Sequence, residues 1–251
     1  MSPLAKSLIA LGCVFGGSLL GVFCRPLLRD EYQASDSKEV VRLVMGLVVT
    51  TVALALGLLV GSAKNFYDTQ NAEVTQIAAN YILLDNVLAH YSGEAAEVRG
   101  TLRTELAYQV EESGRADSRT YDNIRSGVRV GGSVLDMLQQ LSPKDDGQRF
   151  LKQEALNLEM QLGQTRWLMF AQATVPFPQL LLTMLIAWLF VLFVSFGIFA
   201  PRNPLVLTGL FVSATAVCGA ILLILEMYNP QAGLIRVSVA PLHAALEQLG
   251  R

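Results

Sequence analysis

A chain of 251 residues has room for one large or two small domains, but 52% hydrophobic residues and a mean hydropathy of +0.42 do not suit a soluble one. Its charged fraction of 16% falls below the roughly 25% usual for soluble domains. A net charge of −2 argues against a nucleic-acid binder, since neutralising phosphates takes a basic excess.

A bilayer core about 30 Å thick is crossed by roughly 20 apolar residues in a helix, because backbone polar groups find no partners in lipid. The first such stretch runs from about Leu4 to Phe23, interrupted only by Lys6. Lys6 before an apolar run also resembles a signal peptide, but Cys24-Arg25-Pro26 offers no small-residue cleavage site, so a retained helix is predicted. The second stretch, Leu43 to Gly61, has no charge and completes a transmembrane pair over residues 1–61.

Residues 62–174 carry 26 of the 40 charged side chains and are predicted to form a soluble helical domain. Ile77, Tyr81, Leu84 and Leu88 recur at helical spacing and extend the second span to a stop near Ser92-Gly93. A helix from about Glu94 to Glu112 places Val98, Leu102, Leu106 and Val110 on one face and stops at Ser113-Gly114. A third is expected from about Ser118 to Leu141, closed by Ser142-Pro143, and a fourth runs through Phe150, Leu151, Leu158 and Leu162. Arg115, Arg119, Arg125 and Arg129 alternate with Asp117 and Asp122 as a solvated face.

Residues 175–226 hold two further spans, about Phe177 to Ala200 and Leu205 to Leu225, joined as a hairpin by Pro201-Arg202-Asn203-Pro204. Residues 227–251 are predicted to be an interfacial or re-entrant segment ending in a short helix, since Pro230, Gly233 and Pro241 interrupt the stretch. The fold class is thus all-α: a polytopic membrane protein with four transmembrane helices and a helical-bundle soluble domain inserted between the second and third. The N-terminus, soluble domain and C-terminus share one side. Orientation is not set by basic residues: Arg25, Arg29, Lys38, Arg42 and Arg202 flank one face, and Lys6, Lys64, Arg166 and Arg236 the other.

Within the spans, Gly12, Gly16, Gly17 and Gly21, with Gly57 and Gly61, give the small-xxx-small spacing that lets helix backbones touch. Thr51, Ala55, Leu58, Ser62, Asn65 and Thr69 fall on one face of the second span and its extension. Such a face lines a water-filled pathway, with Leu58 as its apolar constriction, or packs on a neighbour with its hydroxyls bonded to carbonyls of the same helix. Arg42 and Glu226 sit at span ends, where they either snorkel to the interface or make an anion or gating contact.

Signs of catalysis are missing from the sequence. His90 and His243 have no acidic partner at ligand spacing, Cys13, Cys24 and Cys218 form no CxxC pair, and the serine of Gly16-Gly17-Ser18-Leu19-Leu20-Gly21 has no histidine in any span to act as its base. Neither an enzyme nor a metal or other cofactor is expected.

Two segments resemble the bestrophin-like family of bacterial membrane proteins. One is Asp36-Ser37-Lys38-Glu39-Val40-Val41-Arg42-Leu43, continuing through Gly46-Leu47 and Leu56-Gly57-Leu58-Leu59 to Ser62-Ala63-Lys64 and Phe66-Tyr67-Asp68. The other is Leu225-Glu226-Met227, then Pro230, Gly233-Leu234-Ile235 and Val237-Ser238-Val239-Ala240-Pro241-Leu242. Gln231 and Val239 depart from the aromatic and second serine expected there. The resemblance implies a multi-pass protein of the bacterial inner membrane with its soluble domain on the cytoplasmic side. It also implies a distant likeness to bestrophins, pentameric anion channels whose pore follows the second span. A homo-oligomeric channel for small anions is therefore expected, and a membrane-anchored sensor or interaction protein is the alternative.

Overall fold

The computed structural model describes residues 2–24, 35–91, 93–114, 133–173, 179–201, 203–228 and 235–249, with the side chains of 35–39, 112–114 and 173 left out. Arg25, Arg29, Arg115, Asp117, Arg119, Asp122, Arg125, Arg129, Arg202, Pro230, Gln231 and Gly233, and the start of the helix expected from Ser118, lie outside the described residues.

The described chain is all-α: α1 Pro3–Cys24, α2 Ser35–Tyr91, α3 Ala96–Gly114, α4 over 133–140, α5 Asp146–Ala173, α6 Gln179–Phe199, α7 Pro204–Met227 and α8 Ala240–Gln248. Four of these, α1, α2, α6 and α7, are long and apolar enough to cross a membrane. The 57-residue α2 has more than twice the roughly 20 residues a span requires, and it ends at Tyr91, beside the predicted stop.

The chain divides into two compact units, Met1–Phe66 with Phe177–Asn229, and Tyr67–Pro176 with Pro230–Arg251. In the first, the membrane unit, Ala10 and Val14 of α1, Val52, Leu59 and Ala63 of α2, Leu185, Leu189 and Phe193 of α6, and Ala214, Cys218 and Ile221 of α7 form one apolar core. Small residues draw α1 onto α6. A Cβ built on Gly17 would come within 2.9 Å of the Phe190 ring, and one on Gly21 within 2.1 Å of the Val194 carbonyl. Among the described residues, no such atom on Gly12, Gly16, Gly57 or Gly61 would meet a neighbour within 4 Å, so these four make no comparable close approach there. The α1–α7 contact adds Ser7 Oγ donating to the Cys218 carbonyl at 3.0 Å and an edge-on Phe15–Phe211 pair 5.2 Å apart. The α7 start is fixed by Asn203, whose side chain accepts from Leu205 N at 3.2 Å, with Pro204 in the first turn, where no amide donor is required.

In the second, the helical unit, Ile77, Tyr81, Leu84 and Leu88 of α2 meet Val98, Leu102, Leu106 and Val110 of α3, Val134 and Leu138 of α4, and Ala155, Leu158 and Leu162 of α5. The periodic apolar positions of the sequence are therefore the core. Asp85 accepts both Nε and Nη2 of Arg99, at 2.7 and 2.9 Å, which ties α3 to α2 with a two-pronged ion pair. Where the sequence suggests an interfacial C-terminal segment, Leu242, Ala245 and Leu249 of α8 and the turn after it join this same core, with Val237 and Leu246 against it. Pro241 stands in the first turn of α8 and begins that helix rather than interrupting one.

Candidate pore-lining face of the second span

The span part of α2 is the least covered of the four. Only 11% of its most apolar stretch is buried within the chain, against 33% for α1 and α6 and 22% for α7. Val52, Leu59 and Ala63 mark the face turned into the membrane unit, and the predicted stripe runs about a quarter-turn round the helix from it, with Ala55 at the edge of the buried face.

Thr51 is exposed, and its hydroxyl donates to the Leu47 carbonyl one turn back at 3.0 Å, which satisfies the donor within the helix as one of the two sequence readings requires. Ala55 is half-buried against the core. Leu58 is 76% exposed, an apolar side chain that the chain itself leaves uncovered. Ser62 is exposed, with its hydroxyl 3.0 Å from that of Tyr228. Asn65 and Thr69 are also exposed, Asn65 in the membrane unit and Thr69 in the helical unit, and both engage other groups.

The two span-end charges differ. Arg42 is exposed, whereas Glu226 is 3% exposed and engaged with another group, so within the chain it does not snorkel to water. Tyr228, two residues beyond Glu226, meets Ser62, and Arg42 precedes Ser62 by a run of helix about 30 Å long. The structure therefore places these charges at opposite ends of the span and does not bring them together.

Sequence reasoning missed Tyr228 and Phe66, whose rings stack with centroids 5.2 Å apart beside Ser62. It also missed a buried polar cluster in the helical unit. Tyr81, Glu105, Glu159 and Arg166 are 0%, 1%, 4% and 7% exposed. Arg166 Nη2 donates to Glu105 Oε1 at 2.5 Å and to the Tyr81 hydroxyl, and that hydroxyl donates to the same Glu105 oxygen at 3.0 Å. Burial raises the Glu159 carboxyl from 4.5 to about 8; Arg166 opposes the rise and the Glu105 charge adds to it. The signal was in the sequence as charges in step with apolar stripes, Glu105 seven residues after Val98 and Arg166 four after Leu162. Among the described residues, no group of three or more histidine, cysteine or acidic side chains is placed to hold a metal.

The Bestrophin-like domain matches residues 12–242 of this chain, from within α1 to the first turn of α8. No curated protein and no solved structure shows significant similarity to it.

Proposed function

The chain belongs to the bestrophin-like family, and on that premise we propose that it works as a homo-oligomeric channel for small anions in the bacterial inner membrane. In this reading α2 of each copy faces the symmetry axis, and the helical unit stands on the cytoplasmic side with both termini. The observation that carries the proposal is the exposed α2 stripe, in which hydroxyl and amide groups flank an uncovered Leu58. Ser62 and Asn65 have partners within the chain yet stay exposed, and a wet axis suits a polar face of that kind better than lipid does. Apolar side chains brought together around such an axis expel water and form a gate, and Leu58 fills that role. The channel performs no chemical step.

Purified protein in planar bilayers under a chloride gradient tests the reading, with Leu58→Ala beside the wild type. Anion-selective current that grows in the variant is expected. Silence from both, in protein shown to be folded and inserted, overturns the channel and favours a sensor or interaction protein built on the helical unit.

A further inference from the structure

The core shared by α2, α3 and α5 contains two carboxylates and one guanidinium. Glu105 takes the hydrogen bonds of Arg166, Tyr81 and, at 3.5 Å, the Gln109 amide, while Glu159 Oε2, Glu105 Oε2 and Arg166 Nε have no hydrogen-bond partner among the described residues. Arginine keeps its proton under all ordinary conditions, so the cluster is electrically neutral only when one of the two acids is protonated. The hydrogen bonds decide which. Glu105 accepts from three donors, whereas Glu159, buried to 4% exposure with an unpaired oxygen, is the acid that an ionised state would leave uncompensated.

The groups facing this site come from three helices: Tyr81 of α2, Glu105 of α3 and Arg166 of α5 itself. The other buried acids of α2 are matched elsewhere, Asp85 by Arg99 and Glu73 by the amides of Gln70 and Gln172. α4 and α8 add the apolar Val134, Leu138, Leu242 and Ala245 to the core, while their Asp136, His243 and Glu247 are exposed.

We propose that Glu159 is a proton switch of the helical unit: it holds one proton while α5 is packed on α2 and α3, and releases it to water as α5 loosens from them. The step moves one proton from the Glu159 carboxyl to solvent and no other bond changes. The charge left behind repels Glu105 across the cluster, so release and loosening favour one another. The inference concerns the helical unit and does not rest on the channel reading.

Infrared spectroscopy of the full chain in detergent, titrated upward in pH, tests it. The wild type is expected to show the carbonyl stretch of a protonated carboxyl at neutral pH and to lose it with a midpoint of about 8. Glu159→Gln removes the band. Glu105→Gln, which deletes the neighbouring negative charge, lowers the midpoint by at least about one unit and keeps the test open if the first variant fails to fold. A wild type without the band at neutral pH, a band that survives in Glu159→Gln, or a midpoint unmoved by Glu105→Gln each overturns the proposal.

Discussion

Gly21 of α1 and Gly197 of α6 meet backbone to backbone: a Cβ on Gly197 would come within 2.1 Å of the Ser18 carbonyl oxygen, and one on Gly21 within 2.1 Å of that of Val194. Both oxygens are fixed in helices, so no side-chain rotation relieves the clash. Gly21→Ala and Gly197→Ala are each expected to force the helices apart at a cost of about 1–3 kcal/mol, read as a lower unfolding midpoint in detergent. Gly57→Ala, whose added methyl meets no atom of the described residues within 4 Å, is expected to leave the midpoint of the monomeric chain unchanged or slightly raised. Equal losses at all three positions would contradict the packing described.

Arg166 is the only cation hydrogen-bonded to Glu105 among the described residues. Arg166→Met leaves that carboxylate buried without its partner and is expected to destabilise the helical unit by about 3–5 kcal/mol. Adding Glu105→Gln removes the stranded charge and is expected to recover a substantial part of the loss. Denaturant titration of the single and double variants measures the coupling; strictly additive effects would show that the pair acts as two independent groups.

The pH dependence of stability follows from Glu159. Its folded value of about 8 lies above the ordinary 4.5, so between these limits the folded chain holds a proton that the unfolded chain has released. Its contribution is thus fully present below 4.5 and is lost as pH rises toward 8 and beyond. The slope from this one group is at most about 1.4 kcal/mol per pH unit. Equilibrium unfolding across the window is expected to show the fall in the wild type and a flatter profile in Glu159→Gln, whose amide stays neutral throughout.

The four spans and the core of the helical unit were legible because both rest on periodicity and length, which local sequence carries. Leu102 and Leu106 are buried because they lie on an apolar stripe, and α2 reaches Tyr91 because nothing earlier breaks it. The site was less legible because contacts between distant segments decide it. Nothing local marks Tyr228 as the partner of Ser62, 166 positions away, or separates Gly21, pressed on α6, from Gly16, whose added Cβ would meet no described residue within 4 Å. α8 shows the same limit: residues 227–251 read as an interfacial or re-entrant segment ending in a short helix, and only the contacts of Leu242 and Ala245 show the core that receives them.

Neighbouring leucines of α2 offer a direct test of which face meets another copy. Leu58 is 76% exposed and Leu59 is 7% exposed, one turned out of the chain and the other into the membrane-unit core. In a background with Cys13, Cys24 and Cys218 replaced by alanine, Leu58→Cys is expected to form disulfide-linked dimers on oxidation in the membrane, because equivalent side chains converge at a symmetry axis. Leu59→Cys, covered by its own chain, is expected to stay monomeric under the same oxidant. Cross-linking confined to Leu58→Cys places the polar stripe of α2 against its copies, and the absence of cross-linking at both positions, in protein that remains oligomeric, moves the axis to another helix.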